Sequence, residues 1–136
     1  LNHRLKKIIE ELHVRIVFDA YLEKPAHYIA ALNLVVVSSN LSEFETVKAV
    51  LHELGHASIH QGNHDLYNVT FAMHAKMEMQ AEEFMTRCLI EDYVNAMDTD
   101  PRSINYVNFI KENKIDHNLE PKVKFWFMEY INGSVF

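Results

Sequence analysis

Apolar residues recur at spacings of three and four near the start of the chain. Leu5, Ile8, Ile9 and Leu12 fall on one side of a 3.6-residue period, which predicts a helix over residues 4–12. The period then changes to two. Val14, Ile16 and Phe18 alternate with Arg15, Val17 and Asp19, the pattern of a strand with one face more apolar than the other. Glu23-Lys24-Pro25 interrupts it and predicts a turn. Tyr28–Leu32 and Leu34–Val37 read as short strands of the same small sheet, and Ser38-Ser39-Asn40 as a loop. Ser42 with Glu45 three residues on forms a capping box, predicting a helix to about His60 with an apolar stripe of Phe44, Val47, Val50, Leu51, Leu54, Ala57 and Ser58. Residues 61–65, QGNHD, stop that helix, and residues 66–75 fit no single pattern. A second long helix is expected from about Met77 to Ala96, with Met77, Ala81, Phe84, Cys88 and Asn95 roughly in line. Asp98-Thr99-Asp100-Pro101 ends it, and Thr99 or Asp100 is placed to cap a further helix starting at Pro101 and carrying Ile104, Val107, Phe109 and Ile110. Residues 122–131 are apolar and aromatic enough for either a helix or a strand.

Helix, short sheet, then several helices is the order of an α+β fold. The chain has 136 residues, 49% of them hydrophobic, which suits one domain over 1–136 with a core of its own. Cys88 is the single cysteine, so no disulfide framework exists, and a cytoplasmic protein is expected. The first fourteen residues lack the apolar stretch and cleavage site of a signal peptide, and no apolar run approaches membrane-span length, so no membrane association is expected. The net charge is −6 and the 13 basic residues form no block, which argues against direct nucleic-acid binding.

Histidine changes the picture. Nine are present, and five fall between positions 52 and 74. His52-Glu53-Leu54-Gly55-His56 is an HExxH sequence inside the expected helix. Residues four apart lie about 40° from each other on a helix, so His52 and His56 can reach one metal ion, with Zn–N near ~2.0–2.1 Å. Glu53, about 100° round, misses the metal yet reaches a water beside it as general base. The apolar stripe covers the opposite side, so the histidines face a cleft or a covering element.

A catalytic zinc needs a third protein ligand and an open position. His60, His64, Asp65, His74, Glu78 and Glu82 are the candidates. His60 rises about 6 Å beyond His56 on the same helix, and the metzincin spacing is not met, with Ile59 and Gly62 in its place. Glu78 shares its direction on the second long helix with Met85 and Leu89, a costly place for a carboxylate unless a cation compensates it. Glu82, one turn on, fits either as ligand or as partner to a ligating histidine. Elsewhere, Cys88 reads as a small buried hydrophobe. His3, His13, His27 and His117 read as surface residues, and Trp126 as core of the C-terminal segment or a partner-docking patch. Tyr67 and Tyr93 are candidate oxyanion donors.

LHELGHASIH followed by EMQAEEFMTRCLI resembles the ImmA/IrrE family of small zinc-dependent metallopeptidases. The family pattern is met at His52, Glu53, Leu54, Gly55, His56 and His60, then at Glu78, Gln80, Ala81 and Phe84. It departs at Ile59, at Met85, and in lacking a proline after Ile90. The resemblance spans residues 51–90. It implies a small zincin-like domain in which His52, His56 and Glu78 bind Zn2+ and Glu53 is the catalytic glutamate. Family members of phages and mobile elements cleave a helix-turn-helix repressor encoded next door. This chain shows no evident DNA-binding helix pair and resembles that subgroup, so a repressor is the expected protein partner. The alternative is a zincin-fold regulatory module that binds such a regulator without turnover. A purely structural zinc site would favour several cysteines, and the chain has one.

Overall fold

The structure is a computed structural model that describes residues 3–60, 71–96 and 105–130. Helix α1 (His3–Leu12) leads into strand β1 (Arg15–Asp19), then β2 (Ala26–Ile29), a 3₁₀ turn (Ala30–Leu32) and β3 (Leu34–Ser38). Helices α2 (Glu43–His60), α3 (Phe71–Ala96), α4 (Tyr106–Glu112) and α5 (Glu120–Met128) follow. The class is α+β, as the order of patterns predicts. The chain divides into two compact units, Leu1–Met85 and Thr86–Phe136, with the division inside α3.

In the first unit the sheet has the order β1-β3-β2. β1 runs parallel to β3, and β2 antiparallel to it with Tyr28 opposite Val35. β3 is central and its sequence, LVVVS, is apolar almost throughout, because a strand covered on both faces loses the alternation of a half-exposed one. Val35 and Val37 are fully buried. α2 packs across β2 and β3 and against α1. Its start is the predicted capping box: Ser42 Oγ accepts the Glu45 N–H and Glu45 Oε1 accepts the Ser42 N–H, both at 3.1 Å.

Several expectations are corrected. The second strand spans Ala26–Ile29, not residues 28–32, because the chain winds into the 3₁₀ turn at Ala30 and then takes a left-handed conformation at Asn33 (φ 48°). Asn33 tolerates that backbone and uses its side chain as a clamp. Its Nδ2 donates to the carbonyls of Leu12 and His13 at 3.0 and 2.9 Å, and its Oδ1 accepts the Tyr28 hydroxyl at 2.8 Å. One side chain thus joins the end of α1 to β2. On α2, Val50, Leu51, Leu54 and Ala57 are buried as expected, but Phe44 and Ser58 at the stripe's margins are exposed. α3 begins at Phe71, earlier than Met77, so residues 71–75 are helical.

The second unit is built on aromatic packing. Tyr93 meets Phe109 edge-on at 5.3 Å between ring centroids, and Phe109 meets Phe127 at 5.3 Å. Residues 122–128 are helical, within α5, whose first turn carries Pro121. Trp126 is buried with the Arg87 guanidinium over its ring, so it is core rather than a docking patch. Cys88 is buried, as expected. α4 opens at Tyr106 because Asn105 is extended and accepts the Val107 N–H at 2.8 Å. A helix running unbroken from Pro101 is therefore corrected, and Val107 is exposed rather than on its apolar stripe. The caps expected at Thr99 or Asp100 lie outside the described residues. No helix among the described residues is long and apolar enough to cross a membrane.

Candidate metal centre

His52, Glu53 and His56 project from α2, and Glu78 and Glu82 from the first half of α3. What lets the two helices meet is Gly55, between the histidines. A Cβ built there would stand 3.0 Å from the Cα and from the carbonyl oxygen of Ala81, and 3.2 Å from Phe84 Cβ. The contact is nearly backbone to backbone, with Ala81 fully buried opposite. The glycine at the fourth position of the HELGH run is therefore a spacing device that brings the α3 carboxylates within reach of the α2 imidazoles.

Glu78 spans the histidine pair. Its Oε1 lies 3.1 Å from His52 Nε2 and its Oε2 2.8 Å from His56 Nε2. Glu82 Oε1 takes the other nitrogen of His52, Nδ1, at 2.7 Å. The two imidazole rings meet edge-on, 5.1 Å between centroids. Glu53 is placed differently. Its Oε1 accepts the backbone N–H of Tyr28 on β2 at 2.7 Å, and its Oε2 stands 4.0 Å from His52 Nε2.

These positions decide how each group is charged. Burial pulls the His52 imidazolium toward deprotonation. The hydrogen bonds to Glu78 and Glu82 and the charges of Glu53 and Glu82 outweigh it, and hold the group up to about 10 from an ordinary 6.5. Both ring nitrogens of His52 then donate, one to each α3 carboxylate. Burial raises the Glu53 carboxyl above its ordinary value, and the neighbouring histidines and the Tyr28 N–H only partly counter that. A carboxyl in that state takes up a proton more readily than an exposed one.

The donor set suits zinc. Two donors about 2.0–2.1 Å from a tetrahedral zinc stand about 3.3 Å apart. Glu78 stands within 3.1 Å of both imidazole Nε2 atoms, with a proton on His52 supplying the positive charge between them. His52, Glu53 and His56 also offer ligand atoms within 4.8 Å of one another. Glu53 is the poorer third ligand of the two acids, since it is farther from His52 and one of its oxygens is engaged by β2.

His74, a candidate ligand by sequence, stands half-buried in the first turn of α3. His52, Glu53, His56, Glu78 and Glu82 are brought together. His64, Asp65 and Tyr67, and the side chain of His60, lie outside the described residues. Tyr93 belongs to the second unit, where burial and the charge and hydrogen bond of Glu112 raise its hydroxyl above the ordinary range. Sequence reasoning missed the Tyr28 N–H, because a backbone donor leaves no mark in side-chain patterns. It also missed the role of Gly55, for which a glycine inside an otherwise well-formed helix is the available signal.

No curated protein and no solved structure matches the chain. The profile of a peptidase family, described as the IrrE N-terminal-like domain, matches residues 9–109, a span that contains the sheet, α2 and α3. With that match over most of its length, the chain belongs to the ImmA/IrrE family of metallopeptidases.

Proposed function

We propose that the chain is a zinc-dependent endopeptidase of the HExxH type, with His52, His56 and Glu78 holding the metal and Glu53 as the catalytic glutamate. The observation that carries this reading is the Glu78 carboxylate shared between the two imidazole Nε2 atoms, with Glu53 beside them but tied elsewhere. When bound, zinc supplies Lewis-acid chemistry, acidifying a water and polarising a peptide carbonyl. The chain's own residues do the rest. Glu53 takes a proton from the attacking water and returns it to the leaving amine, through the carboxylate oxygen not engaged by Tyr28. The Tyr28 N–H fixes the rotamer of Glu53. Glu82 holds the Nδ1 proton of His52, so that Nε2 is the nitrogen offered to the metal. The substrate peptide lies extended along β2, the edge strand on the Glu53 side of the sheet.

The proposed substrate is a helix-turn-helix repressor of a phage or mobile element, and the site of action the cytoplasm. The resemblance to repressor-cleaving family members supports this. So does a net charge of −6 without a basic block, which suits a protein substrate better than a nucleic acid. The test is co-incubation of the zinc-loaded protein with the repressor encoded beside it, read by mass spectrometry. Wild type cleaves, whereas Glu53→Gln keeps zinc, still binds the repressor and loses about 10²–10⁴-fold or more in rate. Equal relief of repression by both proteins, with the repressor intact throughout, would overturn the peptidase reading in favour of a binder without turnover.

A further inference from the structure

The sheet has two edges, and only the β2 edge belongs to the site. β1 forms the other. It carries no proline and no bulge, and its register with β3 runs unbroken from Arg15 to Asp19, so it has few of the devices that keep edge strands apart. Val17 is 43% exposed and Phe18 53%, on opposite faces of the strand, and Tyr21 just beyond it is 92% exposed. The Arg15 N–H donates to the Asn33 carbonyl and the Asp19 carbonyl accepts the Ser39 N–H. By alternation, the backbone groups of Arg15, Val17 and Asp19 therefore face β3, and those of Ile16 and Phe18 face outward.

We propose that β1 is a homodimer interface, at which it pairs antiparallel with β1 of a second copy about a two-fold axis through Val17. The strand Arg-Ile-Val-Phe-Asp is self-complementary in that arrangement alone. Pairing about Val17 sets Ile16 opposite Phe18 of the second copy and Phe18 opposite its Ile16. Those are the two residues with outward backbone groups, so each pairing exchanges two hydrogen bonds. The same register sets Arg15 opposite Asp19 of the second copy, twice, and in the non-hydrogen-bonded positions where side chains approach most closely. Arg15 makes no ion pair within its own chain among the described residues. Asp19 uses its Oδ1 for the Tyr21 N–H and turns its charge to the same face as Arg15 and Val17. Shifting the register by one residue would turn the outward backbone groups of one copy toward groups that already bond β3, and shifting it by two would part both Arg–Asp pairs. The product is a continuous six-stranded sheet with β2, and the metal centre beside it, at both outer edges.

The test is sedimentation of the full chain against concentration, with three variants. Wild type should dimerise. Arg15→Asp and Asp19→Arg, each placing like charges opposite one another twice, should weaken the dimer at least about 30-fold. Mixing the two variants should restore a dimer, now hetero, because each supplies the charge the other lacks. Val17→Cys, placed on the axis at a non-hydrogen-bonded position, should form an intermolecular disulfide on mild oxidation. Cys88 is buried and does not compete. A wild type monomeric up to about 1 mM, an association of only about −4 kcal/mol, would overturn the proposal. So would a dimer indifferent to both charge variants, or one in which Val17→Cys fails to cross-link.

Discussion

The cluster on α2 and α3 and the aromatic core of the second unit are both held by side chains from different helices, and they are held in opposite ways. Tyr93, Phe109 and Phe127 gain by leaving water, and their ring contacts tolerate many small adjustments of angle. His52, His56, Glu78 and Glu82 lose by leaving water, and their arrangement persists because each is answered by a hydrogen-bonding partner within 3.1 Å. The first kind of packing makes a fold. The second makes a place where a cation belongs.

The largest effects should come from violating the apolar rule. Leu54 is fully buried beside the histidines, so Leu54→Asp puts an uncompensated charge in the core, costs several kcal/mol and unfolds the domain. Phe109→Ala should cost about 3–5 kcal/mol by thermal melt, yet leave zinc affinity as it was when measured below the transition. A matching loss of zinc would show that the two regions are not held independently. Glu53→Gln, by contrast, should melt within about 1 kcal/mol of wild type, and a greater loss than in Leu54→Asp would mean that α2 is rotated from the orientation described.

Changes in the polar cluster should be felt in metal affinity before stability. Glu82→Gln keeps the shape but weakens its hold on His52 Nδ1, and should lower zinc affinity about 10–100-fold by competitive chelator titration. Glu78→Ala removes a carboxylate shared by both imidazoles and should lower it further. The opposite ranking would assign the third ligand to Glu82.

The most gradual effect is a slope with pH. His52 binds its proton more tightly folded, at about 10, than unfolded, at 6.5. The stability it contributes to the metal-free protein is therefore complete below pH 6.5 and lost as pH rises through about 10. Glu53 is shifted upward too, so its contribution has the same sign and is lost as pH rises through its raised folded value. The melting temperature of the metal-free protein should decline across the His52 window, whereas zinc, by taking the place of the proton, should flatten the profile. A metal-free profile that rises from pH 6.5 to 10 would mean that His52 is not held as an imidazolium.

Side-chain periodicity carried the legible part. The capping box at Ser42, the burial of Val50, Leu54 and Ala57, and the proximity of the histidine pair follow from local spacing on one helix. Spacing alone leaves Glu78 and Glu82 in competition, since they sit one turn apart on the same face; the structure sets Glu78 across both Nε2 atoms and Glu82 at His52 Nδ1. The errors lie where backbone geometry overrides composition. Residues 30–32 are apolar enough for a strand, but the left-handed Asn33 and its clamp on Leu12 and His13 favour a turn. Phe44 looks like core because its position fits the stripe, yet it stands in the first turn of α2 and stays exposed. The pattern suits a helix from Pro101 on, but Asn105 is extended and caps a helix that opens at Tyr106.

The contact at Gly55 has a bearing on how the site could change over generations. Where two helices touch through long side chains, a substitution is absorbed by rotamers, and the separation drifts a little. Here the nearest atoms across the gap are a Cα and a carbonyl oxygen, 3.0 Å from where a methyl would sit, and neither has a torsion of its own to spare. The separation of α2 and α3 is in effect a gauge without play. Mutations around it can alter the β2 edge, the proposed binding surface, without disturbing the distance at which imidazole meets carboxylate. Such a scaffold lets its recognition surface wander while its chemistry stands still.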